Sequence, residues 1–299
     1  MRVDYQIFPN HDAMYRTRFH PLMVKKPDID ELTVEEVISG TGVVVIATVN
    51  RPGKLNALNH EVKEAIKELA AWADEADHVR VIIFQGAKPG PAPEGKRPKP
   101  HAFVAGADVS DFKGKDSVTI RPEFEDNVWE AVWNISKPTI ALIDGYALGG
   151  GSELAISCDI RIATPRSMFG TPEINLGLIP GGGGTQRLTW LIGYGRAMEM
   201  VMGGGMIDAE EAHRIGLVNH VIEADLLMEK GMELAENLAS KSPLTIQVAK
   251  RAVRAALDHP ISDGVLLEHN MFVDLFDTKD KDIGVNAFLE RSTPEWTGE

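Results

Sequence analysis

The chain holds one cysteine, Cys158, so an internal disulfide and a CxxC redox or zinc pair are both excluded. Basic charge is also short: 31 Lys and Arg stand against 44 Asp and Glu, a net of −13. A chain this acidic offers no broad basic face to nucleic acid or to an anionic membrane, although a small anionic ligand needs only local basic groups. No apolar run approaches the roughly 20 residues of a membrane span. The opening MRVDYQIFPN has no apolar leader core, and Asp4, Asp12 and Asp28 interrupt the basic residues that follow. Neither a secretory signal nor a transit peptide is expected. A reducing, cytoplasmic setting is the expectation.

Several catalytic signatures are missing too. The nine histidines include no HExxH, and Gly216 separates His213 from His220, so no metal is expected. GYALGGGSE and IPGGGGTQ are glycine-rich, but neither is GxGxxG and neither ends in GK[ST]. Ser152 lacks the GxSxG flanks of a nucleophile elbow.

What is present reads as an α/β protein. Residues 1–31 form an irregular arm, broken by Pro9, Pro21 and Pro27 but too rich in Tyr5, Ile7, Phe8, Tyr15, Phe19, Leu22 and Met23 for a disordered tail. LTVEEVIS and VVVIATVN, joined by Gly40-Thr41-Gly42, predict a hairpin. Asn59 caps a predicted helix from His60 to Asp74, whose apolar face is Val62, Ala65, Ile66, Leu69 and Trp72. VRVIIFQG (79–86) is a buried strand.

Five prolines make 88–100 a loop. There Lys88, Lys96, Arg97 and Lys99 outnumber Glu94, as a solvated insertion or as a basic lip beside a phosphate-bearing ligand. Residues 101–112 predict a strand broken at Gly106, and Pro122 to Ser136 a helix. TIALIDG and DIRIAT predict strands, with a helix entered through Gly149-Gly150-Gly151 between them. TQRLTWLIG and GRAMEMVMGG are helical, Asp208 caps AEEAHRIG, and LVNHVI is a short strand. The pattern is helical from Asp225 onward. The body is therefore 32–205, followed by a helical region, 206–299.

Two carboxylates stand beside the glycine clusters, Glu153 after Gly149 to Gly151 and Glu173 ahead of Gly181 to Gly184. Taken singly, Glu153 complements the dipole of its own helix and Glu173 is a surface loop carboxylate. Together, beside backbone that admits close approach, they point to a joint site for moving protons.

The segments AFVAGADVSDF, IDGYALGGGSELAISCDIRIA and FGTPEINLGLIPGGGGTQRL resemble the signatures of the enoyl-CoA hydratase/isomerase (crotonase) family. RPGKLNALN and FLERSTP resemble its flanking motifs, and the resemblance runs from Val34 to Pro294. It implies a spiral of ββα turns with a C-terminal helical region that serves trimerisation and coenzyme A binding. It also implies homotrimers that often pair as hexamers. The ligand would be an acyl-CoA thioester, with coenzyme A arriving as part of the substrate and no separate cofactor.

The amides of Ala107 and Gly150 would form an oxyanion hole. Glu153 would orient and activate a water, and Glu173 would deliver its proton to the α-carbon. Having both glutamates favours hydration over an isomerase or a CoA-thioester hydrolase of the same fold, which frequently lacks one. A non-catalytic RNA-binding relative is opposed by the acidic charge, and a scaffold that uses the arm is a third reading.

Lys54, Leu55 and Ala57 would touch coenzyme A mainly through backbone. Ala105, Gly106, Asp108, Val109 and Ser110 would line the thioester side, and Phe112, Gly149, Pro172 and Gly181 are further substrate positions. Ser110 replaces a family lysine, and the basic end of the family pattern reads Glu290-Arg291-Ser292-Thr293-Pro294. Lys96, Arg97, Lys99 or Arg291 would have to supply the missing phosphate contacts. Phe112, Trp129 and Trp133 are candidates for the acyl wall, with core packing as the alternative for the tryptophans. Gly181 to Gly184 would give room for substrate and a tight turn.

Overall fold

The computed structural model describes residues 24–299 apart from 41, 93 and 96. β1 (Leu32–Ser39) and β2 (Gly42–Val49) make the expected antiparallel hairpin, with Leu32 opposite Val49 and Ser39 opposite Gly42. From there the chain repeats one unit: a long strand on a first sheet, a short strand on a second, then a helical return. β3 (Val79–Gly86) is followed by β4 (Ala102–Val104), β5 (Thr139–Ile143) by β6 (Tyr146–Leu148), and β7 (Ile160–Ala163) by β8 (Met168–Gly170). β9 (Met206–Asp208) and β10 (His220–Val221) add one strand to each sheet.

The first sheet runs β1-β2-β3-β5-β7-β10 and the second β4-β6-β8-β9. Beyond the hairpin every neighbouring pair is parallel except β8 with β9. This is the ββα spiral that the resemblance implies.

The helices are α1 (His60–Glu75), α2 (Ser117–Glu125), α3 (Val128–Trp133), α4 (Gly150–Ser157), α5 (Gly184–Ile192) and α6 (Tyr194–Gly203). They continue with α7 (Ala209–Arg214), α8 (Leu227–Ala239), α9 (Pro243–Asp258), α10 (Ile261–Asp274) and α11 (Lys279–Glu290). Side chains alternate across the first sheet. Val45, Ala47, Ile82, Phe84, Ala141 and Ile143 enter a core shared with α1, α3 and α4. Val44, Ile46, Val81, Ile83, Ile140 and Leu142 enter a second core under Leu227, Ala235 and Ala239 of α8. Burial on both faces is why β3 and β5 read as unbroken apolar runs rather than as an alternation.

Local expectations needed correction in two places. The helix expected from Pro122 to Ser136 is two helices. Asp116 caps α2, and Asn127 restarts the chain as the cap of α3 by accepting from the Glu130 N–H. The break turns Trp129 and Val132 into the core. The strand expected over 101–112 is paired only at Ala102–Val104, because the following residues run beside Leu55–Leu58 instead. β6, β8 and β9 have three residues each, too few to show a period in sequence.

Most of the expected N-terminal arm, residues 1–23, and Lys96 of the basic loop lie outside the described residues. Of the rest of the arm, Lys26 pairs with Glu36 at 2.8 Å and Ile29 is bridged to Leu32.

Candidate active site

Two backbone amides come together between β4 and α4. Ala107 sits opposite Leu58 in a parallel bridge, where the Leu58 N–H donates to Gly106 O (2.9 Å) and the Asp108 N–H donates to Leu58 O (2.8 Å). In that pattern the N–H of Ala107 itself points away from Leu58. Gly150 is the first residue of α4, where an N–H has no acceptor within the helix. A methyl group on Gly150 would lie 3.4 Å from the Ala107 nitrogen and 3.0 Å from Trp129 Cζ2. The glycine therefore keeps open the space that both amides border. Gly149 enters the helix at φ 52°, in the left-handed region, and a Cβ there would meet Glu173 Oε1 at 2.9 Å.

The Ala107 segment is held by residues that the motifs alone did not single out. Asn56, 1% exposed and at φ 57°, donates to Ala87 O (2.9 Å) and Ala102 O (2.8 Å) and accepts from the Arg51 N–H (3.0 Å). Arg51 donates to Ala57 O (2.5 Å) and pairs with Asp108 (3.2 Å). The signal for both was their place inside RPGKLNALN, where Asn56 is a polar residue between the contact positions Leu55 and Ala57.

Glu153 on α4 is 2% exposed. Its Oε1 accepts from the N–H groups of Gly182 (2.7 Å) and Gly184 (2.9 Å), and its Oε2 accepts from no described residue. This corrects the dipole reading in one respect: Glu153 satisfies the entry of α5, not of its own helix. Burial pushes its pKa up to about 7 and the Glu173 charge pushes the same way, against the two amides and the charge of Arg187.

Glu173 stands in the 3-10 turn Pro172–Leu176. It is half-buried, burial raises its pKa, and its Oε2 has no hydrogen-bond partner among the described residues. Two carboxyl groups thus lie close enough for the charge of Glu173 to act on Glu153, with one oxygen of Glu153 pinned by backbone.

The second glycine cluster is a set of donors as much as a turn. A Cβ on Gly182 would collide with Trp129, and one on Gly181 would come within 2.7 Å of Phe124 Cε1. Phe124 and Trp129 stack with centroids 5.9 Å apart, and Trp129 donates its Nε1–H to Gly150 O at 2.8 Å. Trp129 is thus a core residue that braces both glycine clusters from behind.

The sequence candidates separate accordingly. Glu153, Glu173, Ala107, Gly149, Gly150, Pro172 and Gly181 belong to this one neighbourhood. Leu55 and Ala57 run beside Ala105, Gly106 and Asp108, the Ala105 N–H donating to Leu55 O at 3.1 Å. Lys54 is exposed at the end of the turn Pro52–Lys54, and Lys99 donates to Gly53 O, which brings the proline-rich loop to that turn. Val109 is exposed.

Ser110 donates its hydroxyl to Asp108 Oδ1 at 2.6 Å, a local cap for the turn Val109–Phe112 in which Phe112 is half-buried. Arg97 is exposed, and Arg291 is exposed at the left-handed end of α11. Trp133 departs from the expectation of an acyl wall. It lies between Arg187 (4.5 Å) and Arg254 (3.9 Å) and lines a cavity of about 540 Å³, with Ile156, Leu191, Ile246 and Val253, that contains neither glutamate.

Among the described residues no cluster of three or more His, Cys, Asp or Glu is placed to hold a metal ion, and no helix is long and apolar enough to cross a membrane. The family model for enoyl-CoA hydratase/isomerase matches residues 39–299. A probable mitochondrial enoyl-CoA hydratase of Dictyostelium discoideum is 40% identical over 258 residues, 85% of this chain and 88% of its own. The short-chain-enoyl-CoA hydratase of Clostridium acetobutylicum is 36% identical over 257 residues, 85% of this chain and 94% of its own. The crystal structure of an enoyl-CoA hydratase from Bacillus anthracis matches with a TM-score of 0.81 at 34% identity, over 90% of this chain and 100% of its own. The chain belongs to the enoyl-CoA hydratase/isomerase family.

Proposed function

We propose that this protein is an enoyl-CoA hydratase, a hydro-lyase that reversibly adds water to a 2-enoyl-CoA to give a 3-hydroxyacyl-CoA. The observation that carries the reading is the glutamate pair: both carboxyl groups are drawn to higher pKa by burial, and one oxygen of Glu153 is fixed by the Gly182 and Gly184 amides. A water held between the free oxygens of Glu153 and Glu173 would stand over the enoyl double bond. Its oxygen bonds to the β-carbon as Glu153 orients and activates it. The remaining proton reaches the α-carbon by way of Glu173.

In the intermediate stage the thioester carbonyl carries enolate charge. The N–H groups of Ala107 and Gly150 are the donors for that oxygen, each contributing on the order of 3 kcal/mol because it is fixed before the charge develops. A carboxyl group with a pKa of about 7 exchanges its proton readily near neutral pH, which suits a reversible addition. The relatives named as enoyl-CoA hydratases support the same activity.

Coenzyme A would enter as part of the substrate along Lys54, Leu55 and Ala57 and the facing Ala105–Ser110 segment. No cofactor of the enzyme's own enters this chemistry, and EDTA should leave turnover unchanged. Self-association as a homotrimer or a pair of trimers extends the reading, supported by exposed Phe272, Phe276 and Phe288 on the C-terminal helices. A cytoplasmic location is in keeping with a single, buried, unpaired cysteine, Cys158, and cell fractionation tests it.

The deciding experiment is incubation with crotonyl-CoA while the conjugated enoyl absorbance is followed. Loss of that absorbance with formation of 3-hydroxybutyryl-CoA is expected. Unchanged absorbance with release of free thiol would replace the hydratase by a thioester hydrolase.

A further inference from the structure

Arg187 is the one charged neighbour of Glu153 to which the hydration chemistry assigns no task. It lies in the first turn of α5, and its guanidinium faces back to the glycine turn ahead of the helix. Nη1 donates to Gly182 O at 2.8 Å and to Ser157 Oγ at 3.4 Å, and Nη2 donates to Glu130 Oε1 at 2.6 Å. The same group lies over the Trp133 ring, which Arg254 also approaches. Arg254 and Lys250 in turn pair with Asp159, each at 2.7 Å.

Gly182 joins this network to Glu153. Its N–H donates to Glu153 Oε1, and its C=O accepts from Arg187. Gly183 is at φ 95°, and a Cβ there would collide with the guanidinium, so the turn admits Arg187 only because it is glycine.

We propose that Arg187 is a positioning residue: through the Gly182 carbonyl it fixes the two amides that hold Glu153 Oε1, and so leaves Oε2 as the oxygen that meets water. This rests on the hydratase reading. Arg187 stands behind the turn and does not touch the thioester. The charged groups facing Glu153 are Glu173 from the 3-10 turn and Arg187 from α5. From the other packed elements, α3 brings Glu130, already paired to Arg187, β6 brings Tyr146, and β4 brings no titratable group. Burial drives Glu153 upward and the Arg187 charge opposes it.

The test is kcat and KM for crotonyl-CoA hydration from about pH 5.5 to 9 in wild type, Arg187→Met, Arg187→Lys and Glu130→Gln. Arg187→Met should lose kcat by about 10- to 100-fold with KM within about twofold, because a misplaced group away from the substrate costs rate and not binding. Its acid limb should move to higher pH. Arg187→Lys should return the limb to the wild-type position but stay at least about fivefold low in kcat, since one ammonium cannot span both Gly182 O and Glu130. Glu130→Gln should leave the limb in place with a smaller loss.

An equal fractional loss at every pH, a KM rise that accounts for the loss, or a wild-type kcat in Arg187→Lys overturns the inference. If Arg187→Met does not fold, Arg187→Lys decides alone. Failure of the hydratase reading appears differently, as absent hydration in the wild type. In that case the carboxyl ¹³C resonance of Glu153 still tests the role of Arg187, by titrating at higher pH in Arg187→Met or by not moving.

Discussion

Glu153 holds the main tension at the scale of single residues. Its folded pKa of about 7 lies above the ordinary carboxylate value of 4.5 because the group is buried. Below about pH 4.5 folded and unfolded chains both hold the proton, and the site opposes folding least. As pH rises from there through 7 the unfolded chain ionises first, and the stability contribution is lost. A shift of this size corresponds to roughly 3 kcal/mol.

Glu153→Gln keeps an oxygen for Gly182 and Gly184 but cannot ionise. Its stability relative to wild type should therefore grow by up to about 3 kcal/mol between pH 4.5 and pH 8, while hydration falls by about 10²- to 10⁴-fold. Urea unfolding of both proteins at matched concentration checks the first, and a difference that is flat with pH would show that Glu153 is not the buried proton carrier.

Gly150 makes a second single-residue prediction. Gly150→Ala places a methyl against Trp129 and near the Ala107 nitrogen. The expected result is a kcat lower by about 10²-fold with folding largely kept, read by crotonyl-CoA kinetics beside thermal unfolding.

At the scale of elements, the site is made where short pieces of chain meet, and that governed what the sequence disclosed. Glu153, Glu173 and the glycine clusters were visible because their residue types are unusual at those spacings. Family resemblance carried Ala107, which no pattern marks. The partners of these residues were not visible, because Gly182 to Glu153 and Asn56 to Ala102 are contacts across distant segments. Long buried strands such as β3 were legible to the residue, whereas three-residue β6 and β8 were not. The only sequence mark of the α2–α3 break is Asn127, a capping side chain that follows Glu125-Asp126 and precedes Val128-Trp129.

Asn56 tests how far this second layer matters. Asn56→Ala leaves Ala87 O, Ala102 O and the Arg51 N–H without their partner and puts alanine at a left-handed φ. A loss of about 2–4 kcal/mol is expected in chemical unfolding, with a raised KM for the CoA thioester, because the loosened segment is the one facing Ala105–Asp108. An unchanged KM would detach Asn56 from the substrate channel and leave it a purely structural tie.

At the scale of the whole molecule, two unlike groups stand out among the exposed apolar side chains of the described residues, beside scattered ones such as Ile38, Val118 and Val253. One is on α5 and α6, with Trp190 61% and Tyr194 70% exposed, and the other on α10 and α11, with Ile261 87% and Phe288 85% exposed. Large apolar side chains kept on rigid helices mark contact surfaces. A two-fold dimer needs one patch that meets itself, whereas a closed ring joins two different patches on each copy. Two unlike faces therefore favour the ring, in keeping with the trimer proposed above. Light scattering should give a mass of about three or six times 32.7 kDa. Phe272→Asp with Phe288→Asp should lower that mass, since each buried carboxylate without a partner costs several kcal/mol at an interface. Wild type at the single-chain mass would leave both faces without this explanation, and an unchanged mass in the double variant would overturn the pairing of the α5–α6 face with the α10–α11 face.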